Sequence, residues 1–325
     1  GTVDAPVKVF VEAKDQYGNL ATSEQRGLSI AWNDGQTNRE AEIFALAGGV
    51  GTALVSAPQP GSYQVSFKDP MHSTANISAT MDVILDVGTA VRAVFEIQDT
   101  PANLASRTYT AGTTPVFEII VQDKYGNFVP TYSGAITFVA TTGSSVVNIA
   151  NGRGSASFRH TVAETIIFSL QDHAGTGLDV TDTLVVKFVA AAAVKVGLSA
   201  QSLQGTVDAP LPIVLRALDQ FDNVNLDESR KVVVDAVGDV SGGAGTDRVS
   251  GDGEATFAQG TATMSISSKN AQDVQVGLSD GNGLNVDATL TLKFKAGAAA
   301  KITMAAPQSA VVEAGASVTL QAVDQ

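Results

Sequence analysis

Apolar side chains recur at every second position through much of this chain, in short runs broken by Gly, Asn and Asp. Val7, Val9, Val11 and Ala13 alternate with Lys8, Phe10, Glu12 and Lys14. The same pattern returns at Phe117, Ile119 and Val121, at Ile213, Leu215 and Ala217, and at Val318, Leu320 and Ala322, and each set runs into an aspartate. A later set reads Met81, Val83 and Leu85, then Leu184, Val186 and Phe188, then Leu290, Leu292 and Phe294. Period two puts successive side chains on opposite faces of a strand, so each run predicts a strand with one buried face. No stretch predicts a helix. Residues 190–193 are four alanines, far short of the roughly 12 to 15 residues an isolated helix needs, and they predict a short extended connection.

The runs also recur in a fixed order. Asp15-Gln16-Tyr17-Gly18-Asn19 returns as Asp123-Lys124-Tyr125-Gly126-Asn127 and as Asp219-Gln220-Phe221-Asp222-Asn223, and the sequence stops at Asp324-Gln325, giving steps of 108, 96 and 105 residues. A second marker, G-x-G-x-A-x-(V/F), is read at Gly49, Gly51, Ala53 and Val55, at Gly152, Gly154, Ala156 and Phe158, and at Gly251, Gly253, Ala255 and Phe257. Asp69, Asp172 and Asp280 each follow an alternating run, and Val91-Arg92, Val194-Lys195 and Ala300-Lys301 mark junctions. A repeat of about 103 residues follows. It predicts a unit at 1–89 lacking its first strand, complete units at 90–192 and 193–298, and the start of another at 299–325. That last piece buries too little apolar surface to fold alone. Either the sequence is a window on a longer array, or 299–325 is donated head to tail to a neighbouring copy. Donation would duplicate the A-x-D-Q element already at residues 13–16.

About seven short strands per unit of roughly 100 residues, separated by turn residues, predict an all-β protein of tandem immunoglobulin-like antiparallel β-sandwiches arranged end to end. The chain has no cysteine and a single tryptophan, Trp32, aligned near Phe138 or Val139 and near Asp235 or Ala236. Each core therefore rests on β-branched, Leu and Phe side chains, at roughly 1.5 to 3 kcal/mol per large side chain buried before entropy is subtracted.

The D-x-Y-G-N element after an alternating strand, the G-x-G-x-A-x-F element about 30 residues on and the Ala/Gly-rich junctions together resemble bacterial immunoglobulin-like tandem repeats of invasin- and intimin-like and giant surface adhesins. That resemblance implies an extracellular, rod-like stalk that spaces a binding domain from the cell. The third copy departs from it, with Asp222 where the others have Gly18 and Gly126. Asp tolerates the left-handed region better than most residues.

Composition narrows the chemistry. Lys and Arg number 20 against 33 Asp and Glu, a net charge of −13, which argues against a nucleic-acid partner. Without cysteine there is no disulfide framework, thiolate zinc site or thiol catalysis. No apolar run reaches the length of about 20 residues that a membrane-spanning helix needs. Calcium is the one cofactor the acidic turns bring into consideration, with Asp15, Asn19, Asp123, Asn127, Asp219, Asp222 and Asn223 as candidate ligands. Turn formation is the favoured role for the same residues, because Asp and Asn close turns through their own side chains and Gly supplies positive φ. Junction calcium at Asp69, Asp172 or Asp280 is a related idea. Residues 242–250 fit a calcium β-roll nonapeptide once only, whereas a β-roll needs successive turns. The G-x-G elements lack the helix and lysine of a phosphate loop. The three histidines, His72, His160 and His173, define no Ser/His/Asp arrangement. Asn76-Ile77-Ser78 is an isolated glycosylation sequon.

The expectation is thus a structural spacer or stalk of a bacterial cell-surface adhesin or extracellular fibre, without catalysis. Its partners are neighbouring repeats of the same chain and other copies in a fibre. One alternative is a carbohydrate- or protein-binding module using His72, His173 or exposed aromatics such as Trp32, Tyr109 and Tyr132. Another is a filament protomer assembled by β-strand exchange.

Overall fold

The computed structural model describes residues 1–33, 38–70, 78–96, 107–173, 175–207, 209–238, 249–280, 282–305 and 318–323. Among them all regular structure is strand, and no helix is long and apolar enough to cross a membrane. The chain divides into two compact units, one of residues 1–107, 115–158 and 166–186, the other of residues 108–114, 159–165 and 187–325.

The sheets draw their strands from successive stretches of chain. The first stretch contains β1 (Val7–Glu12), β2 (Gly27–Asn33), β3 (Asn38–Ala45), β4 (Val50–Val55), β5 (Gly61–Lys68) and β6 (Ser78–Leu85), paired as β1-β4 and as β3-β2-β5-β6. The second contains β7 (Arg92–Glu96), β8 (Arg107–Thr110), β9 (Val116–Gln122), β10 (Gly134–Ala140), β11 (Gly143–Ile149), β12 (Arg153–Ser157), β13 (Thr165–Asp172) and β14 (Thr183–Val189). Their orders are β12-β9-β7 and β11-β10-β13-β14-β8. The third contains β15 (Lys195–Ala200), β16 (Gln204–Thr206), β17 (Leu211–Leu218), β18 (Lys231–Gly238), β19 (Val249–Ser250), β20 (Gly253–Thr256), β21 (Thr261–Ser268), β22 (Asp273–Asp280) and β23 (Leu290–Lys295). These form β15-β17-β21-β19 and β16-β23-β22-β18-β20. A final hairpin joins β24 (Lys301–Ala305) to β25 (Thr319–Val323).

Register follows the alternating pattern. The strand that opens each junction pairs with the strand that ends at the marker aspartate: Arg92 faces Gln122, Lys195 faces Leu218, and Lys301 faces Val323. The backbone N–H groups of Val91, Val194 and Ala300 donate to Gln122, Leu218 and Val323 O, at 3.0, 2.8 and 2.9 Å. Among the described residues β1 has one strand partner, β4, whereas β9 and β17 each have two. Val11 is accordingly half-buried where Ile119 and Leu215 are fully buried.

The predicted inward positions Phe117, Ile119, Val121, Ile213, Leu215 and Ala217 are buried, as are Leu184, Val186, Phe188, Leu292 and Phe294. Met81 is exposed, as are Val318 and Leu320 on the last hairpin. Phe117, Phe138 and Phe168 stack in one core with ring centroids 4.8 to 5.9 Å apart, a spacing at which aromatic pairs add to simple burial. Trp32 lies in another core with Tyr63 and Phe67.

One repeat marker requires correction. Gly251, Gly253, Ala255 and Phe257 are not equivalent to the G-x-G strands at 49 and 152. They lie on and beside β20, which pairs with β18, whereas β4 and β12 pair with β1 and β9 in the other sheet. The true counterpart is β21, entered through Gln259-Gly260. Ala47, Ala150 and Ala258 each bridge to the residue three positions on, across the pairs Gly48-Gly49, Asn151-Gly152 and Gln259-Gly260, all at φ between 51° and 78°. Two successive positive φ values are those of a type I′ turn. Glycine holds the second position because a Cβ there would approach the carbonyl oxygens of Ala21, Val129 and Asn225 to 2.5, 2.3 and 2.1 Å. Spacing misled because both strands flanking this turn carry alternating small and apolar residues.

Candidate functional site

The three aspartate turns are built alike. Each follows an inward-alternating strand, and its Asp carbonyl accepts the N–H three residues on, from Gly18, Gly126 or Asp222 at 3.0 to 3.2 Å. That third residue sits at φ 85°, 87° and 70°. Asp222 thus adopts the left-handed turn that glycine supplies in the other copies, and its Oδ1 lies 2.7 Å from Lys195 Nζ. In each turn one carboxylate oxygen, Oδ1 of Asp15, Asp123 or Asp219, accepts the N–H groups of the aromatic and of the Asn at 2.8 to 2.9 Å. The second, Oδ2, accepts the Asn side-chain amide at 2.9 to 3.1 Å.

The copies differ in what else that second oxygen receives. Asp123 Oδ2 accepts the Gly88 N–H at 3.0 Å, and Asp219 Oδ2 accepts the Ala191 N–H at 2.9 Å. Both donors belong to the connections that follow β6 and β14. Asn127 Nδ2 donates to Pro58 O at 2.8 Å, and Asn223 Nδ2 donates to Thr161 O at 2.7 Å. Asn223 Oδ1 accepts the Ala163 N–H at 2.8 Å. Asp123 and Asp219 are 0% exposed, whereas Asp15 is exposed and, among the described residues, its carboxylate is contacted from its own turn.

Electrostatics follow the same division. Burial pushes the Asp123 carboxyl up, but the Asn127 amide and the Gly88, Asn127 and Tyr125 N–H groups outweigh it and hold the group below the usual Asp range. Asp219 is lowered in the same way, with Ala191 in the place of Gly88. Asp15 is lowered chiefly by the Asn19 N–H, then by the Asn19 side chain and the Tyr17 N–H.

Neighbouring groups clamp the connections further. Thr89 N–H donates to Asp4 Oδ2, and Lys124 Nζ donates to Asp4 O at 3.2 Å. A Cβ at Gly88 would lie 2.4 Å from the Asp4 carboxylate and would displace it. Ala191 O accepts from Asn225 Nδ2 at 2.6 Å, and Ala193 O accepts from Arg230 Nη2 at 3.2 Å. Arg230 is held in turn by Glu228, at 2.5 Å; that hydrogen bond, opposed by burial, takes the Glu228 carboxyl down to about 2. Asp4, Gly88, Asn225, Glu228 and Arg230 escaped the sequence reading. Two signals point to three of them: Gly-Thr-Val-Asp-Ala-Pro at 1–6 and 205–210 contains Asp4, and Glu-x-Arg at 24–26 and 228–230 contains Glu228 and Arg230; Gly88 and Asn225 carry no such signal.

The remaining candidates do not converge. Asp69 accepts Arg26 Nη1 at 3.2 Å, while Asp172 Oδ1 and Oδ2 accept the Thr176 and Gly177 N–H groups. Asp280 ends β22. His160 Nε2 lies 2.8 Å from Glu164 Oε1, and His173 Nδ1 lies 3.2 Å from Thr137 Oγ1. Trp32 is buried, Tyr109 packs on Phe188 and Tyr132 is half-buried. His72, Asn76, Ile77, residues 242–248 of the nonapeptide, Asp324 and Gln325 lie outside the described residues. Among the described residues no three His, Asp or Glu side chains gather as a metal site. A cleft of about 280 Å³ beside Arg92 is lined by Asp179, Thr181 and Asp182. Asp179 and Asp182 there accept the Thr181 and Phe95 N–H groups.

No protein-family model and no curated protein matches the chain. Solved structures do. Invasin, described as a bacterial integrin-binding protein, is 14% identical with a TM-score of 0.40, over 93% of this chain and 59% of that one. The Escherichia coli adhesin FdeC is 18% identical with a TM-score of 0.37, over 90% and 93% of the two chains. A β-glycosidase from Bacteroides vulgatus is 11% identical with a TM-score of 0.30, over 62% and 25%. The chain thus spans less than two thirds of the invasin structure. At these values the all-β assignment rests on the strand pairings above.

Proposed function

We propose that this chain is a spacer within an extracellular bacterial surface protein of the adhesin kind, made of immunoglobulin-like units at 1–89, 90–192, 193–298 and from 299 onward, and that it does no catalysis. The observation that carries the reading is the recurring joint: a buried Asp of one sheet stack accepts a backbone N–H from the connection leading into it, at Asp123 with Gly88 and at Asp219 with Ala191. Flanking carbonyls are taken up by Asn127, Asn223, Asn225 and Arg230. A connection held at several backbone atoms has little freedom to hinge, which suits a part whose work is reach. The turn residues serve this joint, in preference to calcium, because their carboxylate oxygens are already engaged by N–H donors, whereas calcium takes six to eight oxygen ligands.

Small-angle scattering tests the reading. An elongated particle is expected, and a compact profile would overturn it. Strand exchange is the weaker alternative, because β24 and β25 already pair with each other in the register of β7 with β9.

A further inference from the structure

We infer that the exposed turn at residues 15–19 is a docking face for the connection and flanking loop of another β-sandwich of this kind joined ahead of it. This rests on the spacer reading and adds to it a specific recognition surface. Two of three chemically matching turns carry a linker N–H on Oδ2 and a loop carbonyl on the Asn amide, and those two aspartates are fully buried. The third turn has the same backbone hydrogen bonds and the same outward-facing Oδ2, which accepts the Asn19 amide.

The aromatics differ in the same way. Phe221 lies so close to Gly112 that a Cβ there would come within 2.4 Å of the ring, and the Arg159 guanidinium stands 5.7 Å from that ring's centroid. Tyr125 is covered on one side by Lys124, whose Nζ also reaches Asp4 O. Tyr17 is 80% exposed, against 46% for Tyr125. The occupant is defined by what the filled copies accept: a short connection of small residues offering one N–H to Asp15 Oδ2, and a neighbouring loop offering one carbonyl to Asn19 Nδ2.

The sequence supplies a faithful way to build that occupant. Residues 1–6 and 205–210 are identical in sequence, and the described residues 207 and 209 are placed like 3 and 5. Val3 and Val207 N–H donate to Asp86 and Lys295 O, and Ala5 and Ala209 N–H donate to Thr2 and Thr206 O. Joining Gln204 of a leading segment of residues 1–204 to Gly1 of the full chain therefore keeps the native sequence through the splice. It places residues 190–193 and β15 ahead of β1. Hydrogen exchange is then measured at the leading copy's Ala191 amide, with and without Asp15→Ala in the trailing copy.

The expected result is that Asp15→Ala speeds exchange at that amide at least tenfold in the fusion, and lowers the melting temperature of the fusion by more than that of the 325-residue chain. Asp15→Asn should fall between. Unchanged exchange in the folded fusion would overturn the docking face. Scattering on the same fusion separates the two readings: a longer particle with a silent Asp15 would remove this inference and leave the spacer, whereas a compact particle would remove the spacer itself. If Asp15→Ala unfolds the 325-residue chain, the Asp15→Asn comparison decides.

Discussion

Replacing Asp123 by Ala isolates the contribution of a joint. The carboxylate accepts four N–H groups, from Gly88, Tyr125, Asn127 and the Asn127 side chain, with no exposed surface. A hydrogen bond to a charged group contributes roughly 1.5 to 3 kcal/mol, but four sharing one carboxylate do not add. The nearer comparison is the loss of one member of a buried charged network, which costs about 3 to 5 kcal/mol because the partners stay buried without an acceptor. At about 2 to 4 °C per kcal/mol for a cooperative unit of 150 to 250 residues, the size of the compact unit that holds Asp123, the melting temperature should fall by at least about 6 °C. Asp15→Ala is the internal control. It removes the same bonds within the turn, but water replaces them, and among the described residues no linker amide reaches that carboxylate. Calorimetry on the two variants, with circular dichroism to confirm that strands persist, makes the comparison. A fall for Asp123→Ala no larger than for Asp15→Ala would show that the Gly88 bond contributes nothing and that the turn acts alone.

Two further outcomes follow from the same groups. Asp123, Asp219 and Glu228 have folded-state carboxyls below their ordinary values of 3.8, 3.8 and 4.5, so the unfolded chain binds more protons over that interval. The stability they give is therefore full above those values and is lost as pH falls toward about 2, the Glu228 value; a melting temperature flat from pH 5 to pH 2 would contradict the hydrogen-bonding account. Adding a chelator at neutral pH should leave the melting temperature unchanged, and a fall restored by calcium would return Asp15, Asp123 and Asp219 to the status of metal ligands.

Alternation carried the fold into view because a half-buried strand has a two-residue period that survives any sequence satisfying it. The runs ending at Asp15, Asp123 and Asp219 are therefore legible without coordinates, as is the left-handed turn at Asp222, where side-chain chemistry substitutes for glycine. Spacing failed where two strands share one composition, and the glycines at 251 and 253 were assigned to the wrong strand. The true counterpart is Gln259-Gly260, which as a sequence lacks the second glycine. Of the joint, the acceptor half was visible and the donor half was not. Gly88 and Ala191 donate through the backbone, which every residue except proline also offers, so no side chain announces them.

That asymmetry explains the pattern of recurrence and variation along the chain. In each copy the acceptor is an aspartate that reaches two turn amides through one carboxylate oxygen and the Asn amide through the other. The donor side is restricted by space alone. At Gly88 a Cβ would press on the Asp4 carboxylate, 2.4 Å from where it would stand, whereas Ala191 already carries its Cβ. Connections are thus free to differ in sequence and length, as residues 86–91 and 190–194 do, so long as they stay small and deliver one amide to the waiting oxygen. In the two described copies, specificity thus lies in the turn and latitude in the linker.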